Sequence, residues 1–207
     1  NYALAEPRIK VFINEKNLGD YPKRNKAAGH AKGKYIFFLD ADDTMYYYCL
    51  ELCVKFCEQF PEAGFGLGTV PDDNRPCPVF IPPREIYLEH FFKYSHFDRA
   101  PGSGFIKREA FNAVGGFSGK RMIGDYEFWF KISRYYSMVK LPFDSYWNRI
   151  HEGQESQTEY AKKNYSRLRE MVLREALSHP DCPLNNEDLI RVNLHLRNNK
   201  RKDKRFN

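Results

Sequence analysis

Three carboxylates crowd into four positions directly after a short apolar run. Tyr35–Leu39 is apolar and rich in aromatic residues, and Asp40, Asp42 and Asp43 follow it. A short apolar run predicts a buried strand, and open α/β sheets bind ligands at the carboxyl ends of such strands. Asp is also common in turns, but a bound cation most simply relieves the repulsion among neighbouring carboxylates. The cluster therefore predicts a site for a hard divalent metal that also meets a phosphate.

Other residues have types that are suited to the same chemistry, although each has an ordinary structural explanation. Arg24 and Asn25 lie near the start of a predicted helix, where they could hold a phosphate or simply face solvent. Asp125 lies at the start of a later helix, where a carboxylate also caps free N–H groups and meets the positive end of the helix dipole. Arg149 and His151 alternate on an extended stretch and therefore share one face, which is common for surface residues too.

The first seventy residues alternate between strand and helix patterns, which predicts an α/β fold with a largely parallel sheet. Helices are expected to end at Gly33 and at Pro61. The predicted elements, in order, are a strand at Ile9–Ile13, a helix at Tyr21–Ala31, a strand at Tyr35–Asp40, a helix at Tyr46–Phe60 and a strand at Phe65–Val70.

The remainder of the chain is predicted to be mainly helical after a proline-rich loop. Five prolines make Pro71–Pro83 a loop rather than an element. We divide the chain into a domain at 1–156 and a helical, basic C-terminal extension at 157–207. The later predicted elements are helices at Arg84–Tyr94, Arg108–Val114, Gly124–Tyr136, Thr158–Ser178 and Asn186–Arg197, a strand at Gly102–Lys107 and an extended stretch at Val139–Ile150.

The positive charge of the chain is concentrated at its C-terminal end. The net charge is +6, and residues 160–207 hold 12 of the 33 basic and 6 of the 27 acidic residues, which leaves 21 of each in residues 1–159. This end could contact anionic lipid at a cytoplasmic membrane face or could simply be solvated. Because no base-reading module accompanies the basic residues, nucleic acid is not an expected partner.

The five cysteines do not have the spacing of a secreted disulfide scaffold. Cys49, Cys53 and Cys57 follow one another at intervals of four on a predicted helix. This spacing favours a buried apolar stripe in a reducing compartment over a metal or cluster site. The sequence also has no run of membrane-spanning length and no opening signal peptide, so we expect a cytoplasmic protein, whose basic end could bring it to the inner membrane face.

Three segments in the same order resemble the family 2 glycosyltransferases, which have the GT-A fold. The segments are RNKAAGHAKGKYIFFLDADD, AFNAVGGFSGKRMIGDYEFWFKI and YWNRIHEGQES, and with their surroundings they cover about Ile9 to Ser156. The resemblance implies a Rossmann-like, mixed and mainly parallel sheet that is flanked by helices. It also implies inverting transfer of a sugar from a nucleotide-diphosphate donor, preferably a UDP-sugar, to an acceptor hydroxyl. The acceptor is expected to be a glycan or lipid-linked, in cell-surface polysaccharide or glycoconjugate synthesis.

The resemblance also implies roles for the candidate residues. Asp42 would ligate Mg²⁺ or Mn²⁺ with support from Asp43, and Asp40 would lie near the donor ribose. Asp125 matches the catalytic base of the family, and His151 would approach the metal or the diphosphate. Arg24, Asn25 and Arg149 would be donor or diphosphate contacts.

This chain departs from the family pattern at two places. Gly124 stands where the family usually has Glu, and the chain begins with what resembles the third strand of the family arrangement. We therefore expect either a fragment of a longer protein or a truncated domain, including a non-catalytic remnant of the fold. A second enzyme class also stays open, because FLDADDT matches the nucleophile motif of haloacid dehalogenase-like phosphatases, with Asp40 as nucleophile and Asp42 as general acid.

Overall fold

A mixed five-stranded sheet organises the chain in a computed structural model. The structure describes residues 2–68 and 75–203. The strands are β1 (Tyr35–Phe37), β2 (Thr44–Met45), β3 (Phe65–Gly68), β4 (Val79–Ile81), β5 (Gly104–Lys107), β6 (Met138–Leu141) and β7 (Tyr146–Trp147). The α-helices are α1 (Tyr2–Ala5), α2 (Asp20–His30), α3 (Cys49–Cys57), α4 (Pro83–Phe92), α5 (Arg108–Ala113), α6 (Gly124–Ser133), α7 (Glu159–Ser178) and α8 (Asn186–Asp203), with short 3₁₀ turns at Pro101–Ser103 and Glu155–Gln157.

The main sheet has the strand order β1-β5-β3-β6-β4, and β2 pairs separately with β7. Strands β1, β3 and β6 run in one direction, as a mainly parallel sheet requires, whereas β4 and β5 run in the other. Only β3 and β6 are parallel neighbours among the described strands. The mixed α/β sheet with flanking helices is therefore confirmed, with more antiparallel pairing than the strand-helix alternation suggested.

The sheet has a core on each face. Cys49, Cys53 and Cys57 are buried on one face with Phe105 and Val139. This arrangement confirms the predicted apolar stripe on α3, because every fourth residue of a helix returns to the same side. The larger core on the other face joins strand residues to helices α4 and α6 and includes Ile36, Leu67, Ile86, Trp129 and Phe130.

Two expectations about local structure were wrong. Ile9–Ile13 forms no strand; a strand needs a hydrogen-bonded neighbour, and no described strand pairs with this segment, whose Ile13 side chain is 89% exposed. Residues 79–81 lie within the predicted loop Pro71–Pro83 yet form β4, which pairs with β6 at the edge of the sheet. An edge strand tolerates nearby prolines because only one of its sides needs ladder hydrogen bonds.

The C-terminal helices pack on the main core. Val172, Ala176 and Val192 of α7 and α8 belong to the larger core cluster, and Arg84 of α4 pairs with the buried Asp188 at 2.7 Å. The division of the chain at residue 156 stays a prediction, but 157–203 contributes to the core of the preceding part. Within the described ranges, no helix is both long enough and apolar enough to cross a bilayer. Predicted positions at 69–74 and 204–207 lie outside the described residues.

Candidate functional site

The small sheet of β2 and β7 brings two of the predicted segments together. Its antiparallel register pairs Thr44 with Trp147, so the residues before β2 face those after β7. The backbone N–H of Arg149 donates to the Asp43 carboxylate at 3.1 Å. The His151 Nε2 and Asp42 Oδ2 atoms lie 2.8 Å apart as a hydrogen-bonded pair. The structure therefore brings Asp42, Asp43, Arg149 and His151 together, whereas their roles toward a metal and a diphosphate stay predictions.

The carboxylates of the cluster have different environments. The hydrogen bond with His151 lowers the pKa of Asp42, whereas burial raises the pKa of Asp43. The Arg149 guanidinium lies 5.6 Å from the centre of the Trp147 ring. The environments of Asp42 and Asp43 thus differ, with the charged form favoured at Asp42 and disfavoured at Asp43.

These side chains can provide part of a metal site. Within residues 2–68 and 75–203, no group of three His, Cys, Asp or Glu side chains is arranged to hold a metal ion. Asp42 and His151 offer an oxygen and a nitrogen, but these two atoms are hydrogen-bonded to each other. Their chemistry suits an Mg²⁺ or Mn²⁺ ion that takes its remaining ligands from a bound diphosphate and water, once the hydrogen bond between them opens.

Arg24 binds the first carboxylate of the cluster. One nitrogen of its guanidinium donates to both oxygens of Asp40, at 2.7 and 2.8 Å, and another donates to Asp20 at 3.0 Å. Asp20 and Arg24 are one helical turn apart on α2, so they share a face. Arg24 is buried, and its observed contacts fix the Asp40 carboxylate. A direct contact of Arg24 with a donor phosphate stays a prediction.

Asn25 fixes the glycine-rich loop that precedes α6. Its amide Nδ2 donates to the Phe117 carbonyl at 2.8 Å, and its Oδ1 accepts the Phe117 N–H at 2.9 Å. Gly116 adopts a positive φ of 59°, and a Cβ there would lie 2.6 Å from the Asn25 Oδ1. Both ends of the Asn25 amide are therefore engaged with backbone, so its predicted donor contact is untested and its observed role is structural.

Replacing Asn25 with Ala is expected to lower the free energy of unfolding by about 1–3 kcal/mol, because two partly buried backbone groups lose their partner. Urea unfolding measures this loss. Lys26→Ala, at an exposed position of the same helix, is the control and should change stability by less than about 0.5 kcal/mol. Equal stability of the two variants would contradict the structural role of Asn25.

Asp125 lies in the first turn of α6, one residue after the helix begins. Its carboxylate accepts the N–H of Tyr126 at 2.7 Å. Burial raises the pKa of Asp125 to about 6, and hydrogen bonding from Tyr126 and from the Tyr21 side chain partly opposes that rise. The residue at the N-cap position is Ile123 rather than Asp125. A carboxylate whose pKa lies near neutrality is suited to accept a proton.

Helix α2 connects Asp125 to the carboxylate cluster. The Tyr21 side chain lies close enough to Asp125 to influence its pKa, and Arg24 donates to Asp40. The Tyr21 ring also fills the space beside Gly124, where a Cβ would lie 2.7 Å from two ring carbons. The glycine that departs from the family pattern is thus explained by an aromatic ring in the place of a side chain at position 124.

A cavity of about 340 Å³ adjoins Asp125. Its walls come from the loop after α4, from the start of α6 and from α7, and its lining residues are Phe97, Asp98, Arg99, Ala100, Asp125, Tyr126, Tyr165 and Arg169. The sequence did not indicate Tyr21, Asp98, Tyr165 or Arg169 as site residues. The sequence held only one signal of these contacts, which is the spacing of side chains on α2. Asp20 and Arg24 are one helical turn apart, as are Tyr21 and Asn25, so the two members of each pair share a face of the helix.

The sequence resembles known glycosyltransferases over its first half. A sequence model of the family described as glycosyl transferase family 2 matches residues 1–115. An uncharacterized glycosyltransferase of Methanocaldococcus jannaschii is 46% identical over 57 residues, which are 28% of this chain and 20% of that protein. An uncharacterized glycosyltransferase of Rickettsia conorii is 44% identical over 54 residues, which are 26% of this chain and 9% of that protein.

Solved structures extend the likeness to most of the fold. The crystal structure of S. aureus TarS in complex with UDP-GlcNAc superposes with a TM-score of 0.62 at 16% identity, over 88% of this chain and 53% of that chain. A second TarS crystal structure gives a TM-score of 0.52 at 14% identity, over 83% of this chain and 48% of that chain. This chain thus spans about half of TarS, and the likeness confirms the predicted GT-A fold class.

Proposed function

This chain belongs to glycosyl transferase family 2, whose sequence model covers more than half of it, and we propose that it transfers a sugar from a nucleotide-diphosphate donor to an acceptor hydroxyl. The observation that supports this function best is the position of α2, whose Arg24 donates to Asp40 and whose Tyr21 ring lies against Gly124, next to Asp125. One helix thereby lies next to both the first carboxylate of the proposed diphosphate site and the proposed proton acceptor. Family membership favours this reaction over the phosphatase alternative.

The donor diphosphate is proposed to bind at the carboxylate cluster. Asp42 and His151 would hold a divalent cation, and that cation would supply charge stabilisation to the leaving diphosphate when bound. Arg149 lies beside the same carboxylates and would add a positive charge. TarS binds UDP-GlcNAc, which supports a nucleotide sugar, and a UDP-sugar in particular, as the donor of this chain.

Asp125 is proposed to act as the base in a single displacement. The acceptor hydroxyl oxygen forms a bond to the anomeric carbon while its proton passes to the Asp125 carboxylate. The bond from the anomeric carbon to the diphosphate oxygen breaks, and the nucleoside diphosphate leaves with the electron pair. Because the attack and the departure take place on opposite faces of the carbon, the anomeric configuration inverts.

The cellular setting is a further part of this proposal. We infer a cytoplasmic enzyme of cell-surface polysaccharide or glycoconjugate synthesis, whose acceptor is a glycan or lipid-linked. The basic residues of 160–207 would provide contact with anionic lipid. If so, co-sedimentation of the chain with phosphatidylserine vesicles should fall when residues 197–207 are removed.

Release of nucleoside diphosphate from a panel of nucleotide sugars tests the transferase. We expect turnover with UDP-sugars that needs Mg²⁺ or Mn²⁺ and stops with EDTA. Asp42→Asn should lower this turnover by about 10²-fold, because the charged partner of the cation is lost. Glu62→Gln, at an exposed position, is the control and should leave turnover unchanged.

Two other outcomes would overturn the proposal. Rapid phosphate release from sugar phosphates that is abolished by Asp40→Asn would identify a phosphatase instead. Calorimetry that detects no binding of any nucleotide sugar with Mn²⁺, in a verified full-length chain, would identify a non-catalytic member of the fold.

A further inference from the structure

The cavity beside Asp125 has one aromatic ring that a ligand can reach. Phe97 and Tyr126 each expose only 1% of their surface, whereas Tyr165 exposes 39%. The Arg169 guanidinium lies 4.2 Å from the centre of the Tyr126 ring and covers it. Tyr165 is therefore the aromatic surface that is available for stacking in this cavity.

The cations of the cavity are neutralised by carboxylates of the protein. The guanidinium of Arg169 binds both oxygens of Asp98, and one of these contacts measures 3.0 Å. Arg99 faces Asp144 at 3.8 Å. Asp125 adds a further carboxylate to the lining, so the cavity has no excess of positive charge. The negative charge of an anionic ligand would therefore be poorly compensated there.

The wall opposite α7 is fixed before any ligand binds. The Trp129 indole N–H donates to the Arg99 carbonyl at 2.7 Å, and the Phe97 N–H donates to His90 Nδ1 at 3.3 Å. These contacts hold the loop that carries Asp98. A preformed wall lowers the entropic cost of binding, and a cavity of about 340 Å³ is at the small end of ligand pockets, which range over about 300–1,000 Å³.

We infer that this cavity binds the acceptor as an uncharged sugar ring, with Tyr165 stacked on its apolar face and the Asp98–Arg169 pair bonded to its hydroxyls. The C–H face of a pyranose packs on an aromatic ring, and its hydroxyls both donate and accept hydrogen bonds. This inference rests on the proposed function, because the bound ring would present a hydroxyl to Asp125. Helix α7 lies beyond the residues that match the family model, so Tyr165 and Arg169 would add acceptor contacts from outside that match.

Saturation-transfer NMR with a mixture of neutral methyl glycosides tests the cavity without requiring turnover. We expect saturation of the ring protons with the full chain, a loss of at least about 5-fold in Tyr165→Ala, and near-normal saturation in Tyr165→Phe. Tyr160→Ala is the matched control, because Tyr160 is on the same helix and is 40% exposed. The same glycosides and their phosphorylated forms are then compared as acceptors, with UDP-sugar hydrolysis as the donor-only reaction.

Each outcome bears on one proposal or the other. Glycoside saturation that depends on Tyr165, with a raised acceptor KM in Tyr165→Ala and no such change in Tyr160→Ala, supports the acceptor site. No glycoside saturation, equal saturation in Tyr165→Ala, or transfer only to phosphorylated acceptors would overturn it. Absent donor turnover with Tyr165-dependent glycoside saturation would instead count against the transferase and leave a sugar-binding cavity.

Discussion

Replacing Asp125 with Asn is expected to abolish most sugar transfer and, at the same time, to stabilise the fold at neutral pH. The amide keeps the shape of the side chain and can still accept the Tyr126 N–H, but it cannot take a proton from the acceptor hydroxyl. Loss of a positioned general base lowers a rate by about 10²–10⁴-fold. Transfer of sugar from a UDP-sugar, measured at saturating donor, gives the size of the loss.

The expected gain in stability follows from the raised pKa of Asp125. Its folded pKa is about 6, against an ordinary value of 3.8. The folded state therefore binds the proton more tightly than the unfolded state. The resulting stabilisation is complete below the ordinary pKa and is lost as the pH rises through about 6. Above that pH the buried charge opposes folding by up to about 3 kcal/mol, at about 1.4 kcal/mol per pKa unit, and Asn removes this cost.

Urea unfolding at two pH values separates this effect from a general change in packing. The gain of Asp125→Asn over the original chain should be larger near pH 8 than near pH 4.5. Asp144→Asn is the control, because the Asp144 side chain is 70% exposed, and it should show no such pH-dependent gain. A variant that keeps transfer activity would remove the base role from Asp125, and a gain that is the same at both pH values would contradict its raised pKa.

The same raised pKa sets the pH dependence of the reaction. The base must be ionised to accept a proton, so kcat/KM should fall as the pH drops below about 6. Tyr21 and Tyr126 face Asp125 as hydrogen-bond donors, and Asp20 contributes a like charge that raises its pKa. Asp98, Tyr165 and Arg169 line the cavity next to it, and Asp98 and Arg169 form an ion pair there.

Motif order was enough to predict which segments meet at the cluster. Asp42 and His151 are far apart in sequence, yet the resemblance to the glycosyltransferase family implied one site, and the structure joins them at 2.8 Å. The apolar stripe of α3 was predictable for a similar reason, since burial repeats with the period of the helix. These are features in which local pattern and three-dimensional position coincide.

Other features depend on partners that no local pattern specifies. An Asn in a helix looks the same in sequence whether it binds a ligand or, like Asn25, the backbone of a distant loop. The prolines around residues 79–81 predicted a loop. These residues form strand β4 because β6 offers a free edge with which they pair, and the sequence of the segment does not show that edge. Tyr165 was missed because its helix reaches the cavity only through the packing of Val172 and Ala176 on the core.

Replacing Gly124 with Ala is expected to destabilise the fold by about 1–3 kcal/mol, through overpacking of a filled space. Within a helix, replacing Gly with Ala normally stabilises the fold by about 1 kcal/mol. The stability change expected at position 124 therefore has the opposite sign. The cause is the buried Tyr21 ring, which lies 2.7 Å from the position of the new Cβ. Urea unfolding measures the loss. Gly29→Ala on α2 has nothing within 4 Å of its new Cβ, so it is the control and should be neutral or stabilising.

A double-mutant cycle with Tyr21→Ala decides whether that ring is the reason for the glycine. Without the ring, Gly124→Ala should no longer destabilise, so the two changes should couple by at least about 1 kcal/mol. Removal of the Tyr21 ring also changes both the burial and the hydrogen bonding of Asp125, so it should shift the pH at which transfer activity falls. Additive stabilities together with an unchanged pH profile would mean that Tyr21 neither occupies the place of a side chain at position 124 nor acts on the base.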